Sequence, residues 1–269
     1  MEWRGAEGGR YFQSHLLYKE NGFKEEKDAR QLLAILSANP PFTSEVEKIE
    51  KKKENKNPPL LFNLAELQNE CSKLFKLSPD ETLKIVQELY EKKLVTYPRT
   101  DARVLSSAVA KEISKNIKGL LSYEHANPFA GEILEQGSYK NIGKTRYVND
   151  KQITDHYAII PTGQGLGTLK SLNVQSARVY EVIVRRFLSI FYPPAVYQKI
   201  SLVSVTEKER LFSSFKVLIS QGYLKIAGYS FGKNKTAEIG QKGQEEGQKE
   251  ETAFLEGIQN GTERGQVSI

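Results

Sequence analysis

Leu94-Val95-Thr96-Tyr97-Pro98-Arg99-Thr100-Asp101, or LVTYPRTD, puts a phenol, a permanent cation and a carboxylate within five residues at the end of a short apolar run. Pro98 has no N–H to give a sheet ladder and restricts the residue before it to extended conformations, so a strand is expected to end at Tyr97. Alternate residues of an extended strand share a face, which predicts Arg99 beside Tyr97. On residue chemistry alone, a tyrosine packed at a strand end is the commoner role, and an active-site turn is the alternative.

The residues before this stretch predict its support. Leu83, Val86, Leu89 and Tyr90 recur at helical spacing up to Lys92. Ser78-Pro79-Asp80-Glu81 is a start signal, with serine as N-cap, proline in the first turn and Glu81 placed to complete a capping box. Leu64, Leu67, Cys71 and Leu74 form one face of a preceding helix. Two helices, a tight turn and a short strand over 94–97 predict a helix-turn-helix with a wing-like strand.

Downstream, Asp101 or Ser106 can cap a helix whose inner face is Val109, Ile113 and Ile117, ending at Gly119. Residues 120–151 are loop-rich. Gly137 to Thr145 resembles a phosphate loop, but it has one residue too many between its glycines and no strand before it, so nucleotide binding is not expected. Gly163-Gln164-Gly165-Leu166-Gly167 has the wrong spacing for a dinucleotide fingerprint and reads as a flexible loop. Residues 176–192 predict a long helix with Val179, Ile183, Phe187 and Ile190 inside and Arg185 and Arg186 nearby, stopped by Pro193-Pro194. Residues 200–205 and 212–220 alternate as strands. Toward the start, Asp28 can cap a helix bearing Ala29, Leu32, Leu33, Ile35 and Leu36, residues 42–49 read as a strand, and 50–59 as a charged connection. Residues 233–251 have almost no apolar content and are expected to be mobile.

The 269 residues suffice for one large or two ordinary domains. Thirty-nine Lys and Arg against 33 Asp and Glu give a net charge of +6, compatible with nucleic acid without requiring it. From Lys73 to Lys118 there are ten basic and six acidic residues, so the stretch around Tyr97 supplies four of those charges. A single cysteine, Cys71, excludes an internal disulfide framework and suits a reducing compartment. No apolar run reaches the length of a membrane span and the start has no signal-peptide core, so a cytoplasmic protein without membrane contact is expected.

LVTYPRTD resembles the active-site signature of type IA DNA topoisomerases. Asp155-His156-Tyr157-Ala158-Ile159-Ile160-Pro161-Thr162-Gly163 resembles the same family's downstream histidine motif, and residues 59–68 (PLLFNLAELQ) also resemble the family. The motifs fall in the family's order and at about its spacing. The resemblance runs from about Trp3 to about Gly228 and is closest to the bacterial topoisomerase III branch.

The resemblance implies an α+β fold, part of the type IA ring: a helical domain at 63–197, carrying the tyrosine on a winged-helix-like support, inserted into a β-rich hinge domain made of 1–62 and 198–269. It implies transient, ATP-independent cleavage of single-stranded DNA, strand passage and religation. Tyr97 would be the nucleophile, expelling the sugar 3′-hydroxyl and forming a 5′-phosphotyrosine link. A free tyrosine, with a pKa of about 10, needs help to lose its proton or to stabilise charge on phosphorus. Arg99 is expected to stabilise the phosphate and transition state, His156 to bind phosphate or orient a neighbour, and Asp101 to orient His156 or Arg99. Thr100, Arg103, Arg185 and Arg186 are candidate DNA contacts. Tyr157 stands where many relatives have a second histidine, and Ala102 where a small polar residue is common.

The family's magnesium is held by an Asp-x-Asp pair in a separate metal-binding domain, and these 269 residues, with five aspartates, contain no such pair. No metal or other cofactor is therefore expected in this chain itself. Its expected partners are single-stranded DNA and the metal-binding and base domains of the same enzyme, the chain being a monomer and either the moving arm of the ring or a truncated remnant. Alone it is expected neither to relax supercoils nor to turn over. The alternative is a module or inactivated remnant that binds single-stranded DNA without cutting it.

Overall fold

The computed structural model describes residues 2–5, 17–18, 24–37, 42–206, 209–231 and 264–268. The chain divides into two compact units, one of Met1–Lys56, Val196–Ser220 and Glu238–Ile269, the other of Asn57–Ala195 and Gln221–Ala237. Residues 233–251, expected to be mobile, lie outside the described residues.

The first unit is built on an antiparallel sheet. Its strands are β1 (Glu2–Gly5), β2 (Leu17–Tyr18), β3 (Phe42–Lys56), β4 (Ala195–Thr206), β5 (Glu209–Ser220) and β6 (Arg264–Ser268), in the order β1-β6-β3-β4-β5-β2. Alternation sets the buried face: Ile200, Leu202 and Ser204 of β4 and Leu211, Ser213 and Val217 of β5 point inward. β3 runs through the lysine-rich stretch expected to be a connection. Charged residues are accommodated there because Glu47 takes a bidentate pair from Arg210 (2.7 and 2.5 Å), Glu54 pairs with Lys216, and Lys48 with Glu50. Helix α1 (Glu26–Ser37) starts two residues before Asp28, which lies in its first turn and is not the cap. Of the expected apolar stripe, Leu32 is buried while Leu33 and Ile35 are exposed.

The second unit is helical. α2 (Leu64–Phe75), α3 (Pro79–Glu91), α4 (Ser107–Gly119), α5 (Asn127–Gln136) and α6 (Val174–Ser189) surround one core. Asn63 caps α2, Ser78 and Glu81 form the expected capping box on α3, and Ser106 rather than Asp101 caps α4. α6 begins at Val174 because Asn173 caps it, accepting from the Ser176 N–H at 2.8 Å. It is buried nearly all round, from Ser176 to Ser189, and so lies at the centre of the unit. The stretch expected to be loop-rich contains α5, ended by Gly137 at φ +66, and a 3-10 segment over Ser138–Lys144 in place of any phosphate loop. Among the described residues no helix is long and apolar enough to cross a membrane.

The wing-like strand expected over 94–97 is reduced to a single bridge. Beyond α3, residues 94–97 form only an isolated antiparallel bridge, Val95 to Pro161, and their partner is the segment 158–162.

Candidate active site

The three strings that carry the family resemblance meet in the helical unit. Thr96 N–H donates to Ile160 C=O and Thr162 N–H to Leu94 C=O, each at 3.0 Å. One bond short of Tyr97 the ladder changes partner. The Ile160 N–H turns to Thr96 Oγ1 at 3.0 Å, and the same hydroxyl donates to Ala158 C=O at 3.0 Å. A side chain thus replaces the main-chain carbonyl, and Tyr97 leaves the ladder as Pro98 requires. The other edge of the 158–162 segment is held by Ile159 N–H to Phe62 C=O (2.8 Å) and Ala158 N–H to Val104 C=O (3.0 Å).

After Pro98 the chain turns tightly, with Thr100 N–H returning to Pro98 C=O at 3.1 Å. The buried Thr100 hydroxyl donates to His156 C=O at 2.8 Å and accepts from Ala102 N–H at 3.1 Å, while Leu64 N–H donates to Thr100 C=O at 3.2 Å. Every polar group of Thr100 is therefore used inside the protein.

These bonds bring the half-buried Tyr97 against the exposed His156, ring centroids 4.4 Å apart at 42°. Tyr90, at the end of α3, meets the other edge of Tyr97 at 5.4 Å and 82°. The three rings line an open groove of about 540 Å³ whose further walls include Lys93, Tyr157 and Thr162. Burial pushes the Tyr157 phenol above the ordinary tyrosine range, so that neighbour stays protonated. Two glycines flank Gln164 in the loop that brings Thr162 and Gln164 to the groove. A Cβ on Gly163 (φ +75) would lie 2.6 Å from Asn116 C=O, and one on Gly165 (φ +69) 2.3 Å from Lys92 C=O.

Arg99 is not on the face of Tyr97. The Pro98–Thr100 turn breaks the alternation on which that expectation rested, and the exposed Arg99 lines a separate cavity formed with α3 and the start of α6. Asp101 is exposed, and its described partner is through its carbonyl, which accepts from Asn63 Nδ2 at 3.1 Å. Its carboxylate reaches neither His156 nor Arg99 by any hydrogen bond or ion pair among the described residues.

Thr100, Arg103, Arg185 and Arg186, the candidate DNA contacts, all have partners within the protein. Arg103 donates to Leu61 C=O at 3.3 Å and pairs with Glu66 at 3.4 Å. Arg185 is 10% exposed, paired at 3.1 Å with Glu181 and set 4.8 Å over Phe129. Arg186 sits 4.0 Å over Phe62 and donates to Leu60 C=O at 3.1 Å. Burial lowers its pKa, opposed by the Glu70 carboxylate. Two arginines on a helix that is buried all round must be solvated by the protein, and the helical spacing of α6 gave no hint that its polar side was also inside.

Sequence reading passed over Tyr90, assigned to a buried face, and Lys93, whose position just after α3 was the available signal. Among the described residues no three His, Cys, Asp or Glu side chains cluster as metal ligands.

A sequence family described as DNA topoisomerase matches residues 5–261. DNA topoisomerase 3 of Bacillus subtilis is 35% identical over 202 residues, which cover 75% of this chain and 26% of that protein. DNA topoisomerase 3 of one Bacillus cereus strain is 30% identical over 207 residues, covering 77% and 28%. Full-length topoisomerase I from Thermotoga maritima shares the fold with a TM-score of 0.54 at 22% identity, over 82% of this chain and 35% of that structure. The chain spans about a quarter of the length of the curated relatives it matches. With its three motifs converging on one tyrosine and the match extending over nearly the whole sequence, the chain belongs to the type IA DNA topoisomerase family.

Proposed function

We propose that these residues supply the nucleophile of a type IA DNA topoisomerase reaction on single-stranded DNA. The observation that supports this most is the contact of Tyr97 with His156, set at 4.4 Å by main-chain and threonine bonds between two motifs distant in sequence. In the proposed step the Tyr97 phenol gives up its proton as its oxygen attacks phosphorus, the bond from phosphorus to the 3′ oxygen breaks, and that leaving oxygen takes up a proton to become the free 3′-hydroxyl. The DNA keeps a 5′-phosphotyrosine link that conserves the bond energy, so religation by the reverse attack needs no ATP.

His156 is assigned to the scissile phosphate, which a charged imidazole binds and a neutral one orients. Tyr157, the neighbouring phenol, is the poorer nucleophile because burial makes its proton harder to remove. Arg99, on the far side of the turn, is assigned to the backbone of the same strand beyond the cleaved bond, and Asp101, which makes no bond to it in the free chain, to orienting it once DNA is bound. The α2–turn–α3 pair serves as the winged-helix-like support, and the sheet unit as the hinge on which the helical unit swings for strand passage. Magnesium and the acidic groups that protonate the leaving hydroxyl are assigned to the metal-binding part of the enzyme, outside these 269 residues.

Accordingly, the chain alone does not relax negatively supercoiled plasmid in the presence of magnesium. With the metal-binding and base segments of the Bacillus subtilis relative added in trans, it forms a denaturant-resistant adduct with labelled single-stranded DNA, and Tyr97→Phe abolishes the adduct without weakening binding. Binding by the wild type with no adduct, after assembly has been demonstrated, would favour a module that grips single strands on its aromatic groove without cutting them.

A further inference from the structure

We infer that Lys93 is the cation that holds DNA phosphate beside Tyr97, a role that rests on the reading of Tyr97 as the nucleophile acting on single-stranded DNA. Of the described residues lining the groove, Lys93 alone carries a permanent positive charge, with His156 titratable and Glu91 opposing it. The ammonium of Lys93 makes no hydrogen bond or ion pair to another described residue. A polyanionic strand entering a groove that contains Glu91 needs such a cation, and Arg99 lines a different cavity.

The backbone says that lysine is costly at this position. Lys93 follows α3 in the left-handed conformation, at φ +62. The Leu94 N–H returns to Leu89 C=O at 2.9 Å and the Lys93 N–H to Tyr90 C=O at 2.8 Å, the bonding of a Schellman cap. Glycine is the residue that suits this position, because an L side chain is strained there. The cap is also fixed from outside: Thr162 Oγ1 donates to Lys93 C=O, and the close approach of Gly165 to Lys92 C=O closes over it. A strained side chain held in place at the mouth of a reactive groove is what a binding function would maintain against stability.

Lys76 provides a matched comparison. It follows α2 in the same conformation, φ +61, and is exposed, but does not line the groove. Replacing either lysine by glycine removes one charge and relieves one left-handed residue.

The test uses the whole chain and a fluorescein-labelled single-stranded oligonucleotide of mixed sequence, with anisotropy followed across a potassium chloride series and melting followed in parallel. Lys93→Gly and Lys76→Gly are both expected to raise the melting temperature by about 2 °C. Only Lys93→Gly is expected to weaken binding, by roughly threefold at moderate salt, and to reduce the slope of log affinity against log salt by about 0.7. Lys93→Arg is expected to keep wild-type affinity. Equal affinity and slope in Lys93→Gly and wild type, or an equal loss in Lys76→Gly, would overturn the inference while leaving the reading of Tyr97 intact. Failure of the wild type to bind the oligonucleotide would instead overturn that reading, and this role with it.

Discussion

Thr100 donates its hydroxyl to the main-chain carbonyl of His156 at 2.8 Å, joining the tyrosine turn to the histidine motif across 56 positions of sequence. The same oxygen accepts from Ala102 N–H, so Thr100→Val strands the part-buried His156 carbonyl and the buried Ala102 N–H together. The expected loss is about 1–3 kcal/mol of unfolding free energy, measured by urea denaturation. Thr100→Ser is expected to recover most of it.

Gly119 and Gly163 meet where α4 ends over the loop that follows the histidine motif. A Cβ on Gly119 would lie 2.0 Å from Gly163 C=O, and one on Gly163 would meet Asn116 C=O at a left-handed φ. Each alanine substitution is expected to cost more than about 2 kcal/mol, because main chain must shift in both cases. The double substitution is expected to cost less than the sum, since one displacement relieves both clashes.

How much of this was legible in the sequence depends on the range of the interactions involved. The capping box at Ser78 and Glu81, the apolar faces of α2, α3 and α4, and the alternation in β4 and β5 are local patterns, and they stand in the structure where their spacing predicts, except that Leu74 of α2 and Tyr90 of α3, at the ends of their stripes, are exposed. The ladder between residues 94–97 and 158–162 is non-local, and only the family resemblance brought its two halves together. The polar half of β3 was misread because its glutamates are paired with cations of another strand, Glu47 with Arg210 and Glu54 with Lys216, which no local pattern announces. Arg99 was misplaced by treating Tyr97 to Arg99 as straight strand, whereas the Thr100–Pro98 bond folds it into a turn.

Arg186 was expected to touch DNA, but its placement over Phe62 and against Leu60 C=O makes it part of the core. Arg186→Ala is expected to lower stability by about 2 kcal/mol through loss of the cation–π contact and the hydrogen bond. The affinity of the folded fraction for single-stranded DNA is expected to be unchanged, as read by anisotropy corrected for folded protein.

Acid is expected to loosen the helical unit at Glu132. Its carboxylate takes hydrogen bonds from Lys225 (2.9 Å) and Tyr192 (2.8 Å), and these, the lysine first, hold its pKa below the ordinary 4.5. A folded-state pKa below the unfolded one adds stability that is fully present above the unfolded value and is lost as pH falls through the folded one. The urea midpoint is therefore expected to fall below about pH 4.5, with a shallower acid limb in Glu132→Gln.

The central claim is that Tyr97, and no other phenol of the groove, carries the DNA. The direct measurement is tandem mass spectrometry of the adduct trapped on labelled single-stranded DNA, after nuclease and protease digestion. The account predicts a nucleotide joined through its 5′ phosphate to Tyr97. A nucleotide on Tyr90 or Tyr157, or one joined through a 3′ phosphate, would contradict it.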